Sequence, residues 1–282
     1  MTYPTLLLLL DDDRHADSRN GTAVEFAVRT GAHLHGLSCH VAVPTGPEFA
    51  VAPGGPNDPV RRDLEAAQRQ AVSRARRFED LCERSHVPSF ETSVDDSGEP
   101  AQAILRRAPV HDLVVIGQAD PFDPDVHRRR SMVEEVVLRD PRPTLVFPYA
   151  GDFRQFGRTA LVAWDGSPGA ARAVADALPL LQTCRNVLVV RFEPGAPRFD
   201  PPGQSALAPV EGWLRRHGVM AQSSVHQTDD DVGLALLSHA ADVGSDLLVM
   251  GSWGHGRWRE RVLGGVTHSV LANMNLPVIT SH

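Results

Sequence analysis

From Gly251 to Thr267 the chain reads Gly251-Ser-Trp-Gly254-His-Gly256-Arg-Trp-Arg-Glu-Arg-Val-Leu-Gly264-Gly265-Val266-Thr267, with five glycines in the fifteen positions up to Gly265. Glycine has no Cβ, so its backbone can close on an anion and take unusual φ values. Gly264 and Gly265 stand just before a helical pattern, whose first N–H groups lack partners and carry partial positive charge. That combination suits a phosphate. Thr267 adds a hydroxyl in the first turn, and Arg257, Arg259 and Arg261 add charge. The bland alternative is a surface connection with helix-capping glycines.

A second candidate is Asp165, followed by Gly166, Ser167 and Pro168. A carboxylate at a strand end can accept hydrogen bonds from a ribose or an adenine amino group. It can equally cap the following helix through its side-chain oxygen.

The elements that must position these residues are written twice. Asp112 to Gly117 resembles Asp246 to Gly251 at an offset of 134, and the stretches beginning at Arg142 and Leu276 keep that offset. Thr5 to Asp11 resembles Thr159 to Asp165 at an offset of 154, so the first copy holds about twenty extra residues. They fall in the Pro/Gly-rich Pro44–Pro59 segment and an Arg-rich helical stretch after it. There Arg61, Arg62, Arg69, Arg74, Arg76 and Arg77 alternate with acids and read as a solvated face. In the second copy, strands are expected at Thr159–Trp164, Asn186–Phe192, Val219–His226, Leu247–Met250 and Pro277–Thr280. Helices are expected at Gly169–Leu181, Val210–His217, from Asp229–Asp231 to about Asp242, and at Val266–Asn273. Alternation of this kind predicts a parallel sheet covered on both faces, with ligands at the carboxyl ends of its strands. A linker is expected near Gly151–Gly157.

Asp165-Gly-Ser after the first strand, Val249-Met-Gly at the fourth, and Gly251-x2-Gly254-x9-Gly264 before a helix together resemble the universal stress protein family, in tandem over nearly the whole chain. The resemblance implies an α/β fold of two tandem five-stranded parallel sheets, order 3-2-1-4-5, covered by helices and adenine nucleotide alpha hydrolase-like. Residues 1–150 are then a degenerate domain and residues 156–282 the domain with the glycine motif. The implied ligand is ATP or another adenine nucleotide, with or without Mg. Asp165 would meet adenine or ribose and Phe192 would border the base. Met250, Gly251, Gly254, Gly264, Gly265, Val266 and Thr267 would line phosphates and ribose. The family motif continues with Ser or Thr after its last glycine, where this chain has Gly265. The missing hydroxyl is worth on the order of 1 kcal/mol.

The implied function is a stress-response, nucleotide-binding regulatory protein with no catalytic residue. The alternatives are a slow Mg-dependent ATP hydrolase using Glu260, and an interaction scaffold without nucleotide. Thr144–Phe147 and Pro277–Thr280 would pair or pack across a pseudo-twofold axis, giving an intramolecular pseudo-dimer. A further homodimer and an unidentified protein partner stay open. In the first copy Asp120 replaces Gly254 and Arg130 replaces Gly264. Carboxylates of Asp120, Asp123 and Asp125 then stand where phosphate should sit, offset in part by Arg128, Arg129 and Arg130. The first copy reads as a non-binding partner, with Asp11 structural or solvated.

Composition sets the outer limits. The 282 residues carry 28 cations and 35 carboxylates, a net charge of −7 that argues against a general nucleic-acid binder. Every cation is Arg, so no lysine chemistry is available. Cys39, Cys82 and Cys184 are scattered and read as reduced thiols. The longest aliphatic run, Leu6–Leu10, ends at three aspartates, so no membrane span or leader is expected and the expected compartment is the cytoplasm. His33, His35 and Cys39 share one face of a predicted strand, but no ligand set for zinc is complete.

Overall fold

The computed structural model describes residues 3–40, 59–194, 203–252 and 265–282. In the first half β1 (Thr5–Leu10), β2 (His33–Cys39), β3 (Ser89–Asp95), β4 (Leu113–Gly117) and β5 (Thr144–Phe147) alternate with α1 (Ala16–Thr30), α2 (Pro59–Arg84), α3 (Pro100–Arg107) and α4 (Val126–Arg139). In the second, β6 (Thr159–Ala163), β7 (Asn186–Pro194), β8 (Ala221–Thr228), β9 (Leu247–Gly251) and β10 (Val278–Ser281) alternate with α5 (Pro168–Asp176), α6 (Leu178–Leu181), α7 (Gly203–Arg216), α8 (Val232–Asp242) and α9 (Gly265–Asn273). The helix expected over Gly169–Leu181 is split at Ala177 into α5 and α6. α7 begins seven residues before the expected Val210 and carries Pro209 within it.

Each half has the order 3-2-1-4-5, and the halves merge into one ten-stranded sheet through an antiparallel β5–β10 pair. Within each half the paired strands are parallel. Leu145 pairs with Ile279, and these are the same position in the two copies at the 134 offset. A pseudo-twofold axis therefore passes between them, as an isologous contact requires. Both residues are fully buried. Without this pairing β5 and β10 would be apolar, open edges.

β1 shows how the sheet is covered. Leu6, Leu8 and Leu10 enter one core layer, with residues of α1, α2, α5 and α7, while Leu7 and Leu9 enter the other, with α3, α4, α8 and α9. A strand buried on both faces needs this continuous apolar run rather than alternation. The repeated aspartate works at the opposite end of the sheet. Asp112 accepts from the Thr5 N–H (2.9 Å) and hydroxyl (2.6 Å), and Asp246 accepts from the N–H groups of Gly157 (3.1 Å) and Thr159 (2.9 Å). It ties the starts of the two central strands in each half.

The connector between halves is packed: Phe156 lies 5.3 Å from Phe147 and 5.5 Å from Phe26, centroid to centroid. The solvated reading of the Arg-rich helix fails at Arg74. This side chain is buried and donates to Cys39 O at 2.5 Å and Ser38 Oγ at 3.3 Å. It satisfies the backbone where β2 ends, a role that helical periodicity alone does not reveal.

Leu145→Ala should destabilise the chain by about 2–5 kcal/mol in urea unfolding, as a large-to-small change in a filled core. Asp140, at the carboxyl end of α4, is buried, and burial outweighs its hydrogen bonds from Arg142 and Thr144 to push it up to about 6. An acid whose folded pKa exceeds its unfolded value takes up a proton on folding. The contribution of Asp140 to stability should therefore fall as pH rises from about 4 through 6, by at most about 1.4 kcal/mol per pH unit. Asp140→Asn should remove that dependence, read from midpoints between pH 4 and 7.5.

Candidate functional site

The sheet order reverses direction at β6, which pairs with β7 on one side and β9 on the other. Connections leaving the carboxyl ends of such strands diverge and leave a crevice. Asp165 sits at that point, exposed, with Oδ1 accepting from Ser167 N–H at 2.9 Å. Gly166 between them has φ +80°, which explains the Asp-Gly-Ser order. The helix cap falls to Ser167, whose hydroxyl accepts from Ala170 N–H at 3.1 Å. The capping alternative for Asp165 is thereby corrected: it closes the turn before the helix and keeps its carboxylate at the crevice.

Gly251 ends β9 against the first turn of α5. A Cβ there would lie 2.6 Å from both Gly169 C and Ala170 N, main-chain atoms that cannot swing aside. The glycine is thus needed for strand-to-helix packing, whatever else it does. Met250 before it is buried in the core layer with α8 and α9, so only its main chain can reach a ligand. Ser252 is fully buried and donates from both N–H (2.9 Å) and hydroxyl (3.0 Å) to Ser281 O.

The hydroxyl of Thr267 is not a free donor as the sequence suggests. It is buried and donates to Ser252 O at 3.1 Å, tying the first turn of α9 to the residue that follows β9. Gly265, at the start of α9, is exposed, and a Cβ there meets nothing within 4 Å among the described residues. Val266 is partly buried against the α8–α9 layer. Gly254 and Gly264 lie outside the described residues, as do Arg257, Arg259, Glu260 and Arg261. Asp231 caps α8, accepting from Leu234 N–H at 3.0 Å, and its hydrogen bond with Ser269 is the main cause holding its carboxyl below the ordinary value.

Phe192 on β7 forms an aromatic wall with two residues that the sequence did not single out. Its ring stacks on His226 of β8 at 5.3 Å and 26°, and His239 of α8 lies 4.4 Å from His226. His226 and Phe192 are register partners across β7 and β8. Burial first, and the neighbouring His239 second, lower the His226 pKa, and Ser224 Oγ lies 2.8 Å from its Nε2. The signal lay in strand alignment between two elements, which a single sequence does not display.

The equivalent point in the first half carries a network of ion pairs. Arg129, from the first turn of α4, pairs with Asp11, Asp12 and, at 2.8 Å, Asp123. Burial raises the Asp11 carboxyl, but Arg19 and Arg129 outweigh it and hold the group ionised below its ordinary value. Arg19 also occupies the space above Gly117, where a Cβ would lie 2.5 Å from its Cζ. Asp11 is thus neither solvated nor idle: it anchors a network of guanidiniums. Near β2, His35 Nδ1 lies 3.1 Å from His111 Nε2, and its Nε2 lies 2.8 Å from Ser93 Oγ. Among the described residues no group of three or more His, Cys, Asp or Glu could hold a metal ion.

Known proteins agree with this architecture. The profile of the universal stress protein family matches residues 157–282. A universal stress protein of Synechocystis sp. is 28 % identical over 153 residues, 52 % of this chain and 50 % of the relative, so the match spans about half the length of that curated protein. The crystal structure of a universal stress protein from Archaeoglobus fulgidus DSM 4304 covers 98 % of this chain and 94 % of its own, with a TM-score of 0.73 at 16 % identity. A functionally unknown protein from Pseudomonas aeruginosa PAO1 covers 98 % and 92 %, with a TM-score of 0.60 at 16 % identity. At those identities the two structures speak for fold alone, over both halves.

Gly251→Ala should lower the unfolding free energy by about 1–3 kcal/mol, because strand and helix backbones must separate to admit the methyl group. Urea denaturation compared with Gly265→Ala, where space is open, provides the check.

Proposed function

We propose that the second half of this chain, which the universal stress protein profile matches, binds ATP or another adenine nucleotide and acts by binding rather than turnover. The observation that carries the reading is the convergence, at the carboxyl ends of β6, β7 and β9, of an exposed carboxylate, an aromatic wall and a helix start. Asp165 would accept from ribose or the adenine amino group. Phe192 would border the base. The α9 N-terminus offers main-chain N–H donors and a positive dipole end to phosphates. Gly251, Gly264 and Gly265 permit close main-chain approach, as Gly254 does in the family motif.

The described residues offer such a ligand donors and acceptors, with one amendment: the Thr267 hydroxyl already donates to Ser252 O and is not a donor to phosphate. A nucleotide touching both ends of segment 253–264 stabilises the conformation that it prefers and so alters the surface available to a protein partner. In the first half the carboxylates paired with Arg129 stand where phosphate would sit and would repel it.

Calorimetric titration with Mg-ATP should therefore saturate at one site per chain. Gly254→Asp, which imports the carboxylate of Asp120, should abolish binding. Gly265→Ser should strengthen it a few-fold to about tenfold, since the added hydroxyl is worth on the order of 1 kcal/mol and the position has room. Two sites per chain, or no heat and no thermal stabilisation in the unmodified protein, would overturn the reading.

A further inference from the structure

β3 is the outermost strand of the first half, and β2 is its neighbour in the described sheet. His35 shares one face of β2 with Leu37 and Cys39, which pack in the core layer of α3. His111 stands just before β4, and both rings are buried, at 7 % and 5 % exposure. Ser93 Oγ of β3 lies 2.8 Å from His35 Nε2, and His35 Nδ1 lies 3.1 Å from His111 Nε2. His111 Nδ1 in turn lies 2.8 Å from the carbonyl oxygen of Arg107, where α3 ends. One string of hydrogen bonds thus runs from the edge strand through β2 to α3.

The direction of that string is fixed by its last member. A carbonyl oxygen only accepts, so His111 Nδ1 carries the proton and Nε2 of the neutral ring accepts. His35 must then donate from Nδ1 and accept at Nε2 from the Ser93 hydroxyl. Every ring nitrogen of the pair is satisfied by this one arrangement. A proton added to His111 Nε2 would set two donors face to face and break the string. A proton added to His35 Nε2 would turn the Ser93 hydroxyl round and leave a charge on a buried ring.

The charges around His35 oppose that proton more than they invite it. Burial is the largest influence and brings the ring down from 6.5 to about 4. Glu91 Oε1, 3.3 Å from His35 Nδ1, favours the charged form, while His111, Arg107 and His33 disfavour it. Glu91 is exposed and also serves His33, whose Nε2 lies 3.7 Å from the same oxygen. Asp95, farther along β3, is engaged by Arg106 at 3.0 Å and Arg107 at 2.8 Å. The closed arrangement therefore excludes a proton that a hydrated His35 takes up between about pH 6.5 and 4. Opening gains on closing as pH falls through that interval.

We propose that Ser93, His35 and His111 form an acid-sensitive latch, which holds β3 on the sheet and releases it when His35 takes up a proton. The latch lies in the first half and stands or falls without the nucleotide reading of the second. Asp140 shifts stability in the opposite direction over the same interval, so the readout must be local. Hydrogen exchange of the full chain is followed by mass spectrometry on peptides covering Ser89–Asp95, corrected for the intrinsic pH dependence of amide exchange. From pH 7 to pH 5 the opening constant of β3 should rise about twentyfold, as a proton bound near 6.5 when open and near 4 when closed requires. β6, in the sheet interior, should keep its protection. His35→Gln, which has no titrating ring, should flatten the pH dependence of β3. Ring-nitrogen NMR shifts of the unmodified protein supply a second measure, independent of whether that variant folds. Both rings should carry their proton on Nδ1 at pH 7, and His35 should gain its second proton only as β3 loses protection. Unchanged β3 exchange down to pH 5, or loosening spread equally over β6, would overturn the proposal. So would a pH dependence kept in folded His35→Gln, or a His35 that titrates near 6.5 with β3 still protected.

Discussion

The antiparallel contact of β5 with β10 is the constraint from which the rest of the molecule takes its form. It places Leu145 against Ile279 on a pseudo-twofold axis and converts two half-sheets into one. Every other paired contact then repeats with its direction reversed. Gln118 and Ser252 occupy equivalent positions beside the seam: Gln118 N–H donates to Phe147 O and Ser252 N–H to Ser281 O, at 2.8 and 2.9 Å. Because an internal axis fixes both carboxyl-end crevices relative to the same sheet, differences between the halves come from the side chains that meet there.

Those differences are electrostatic. Both halves present an aspartate after their first strand and a helix start across from it. In the second half Asp165 is exposed, and α9 opens with the exposed Gly265. In the first, three carboxylates gather around Arg129, so the charges that meet there all come from the chain itself. A buried ion cluster is stable only when each charge has a partner. Arg129 and the carboxylates around it thus belong together, since either side alone would leave charge unbalanced.

Much of this was legible from residues alone. The duplicated Asp-Leu-Val motif, the Asp-Gly-Ser turn and the glycine spacing are local patterns, and local patterns survive in one dimension. The alternation of strands and helices predicted a parallel sheet covered on both faces, and the strand order followed from the resemblance. What escaped were facts of convergence. Arg74 looked like one more arginine on a charged helix until β2 was seen to end beneath it. His226 and His239 are 13 residues apart and meet only because β8 and α8 pack together. Thr267 carried the right hydroxyl in the right turn, but its proton was taken by Ser252 O, a partner 15 residues earlier.

Joining the halves in one chain also changes what may stand on the axis. Glu134 and His268 are equivalent positions in the two copies, and they meet across it, His268 Nδ1 lying 3.0 Å from Glu134 Oε1. In an assembly of two identical chains that place would set glutamate against glutamate or histidine against histidine. Neither gives a donor–acceptor pair of opposite charge. Covalent linkage lets the two sides of one contact diverge separately and become complementary. A mixture of like halves could not reproduce that contact, so the axis itself records that this pairing is heterotypic.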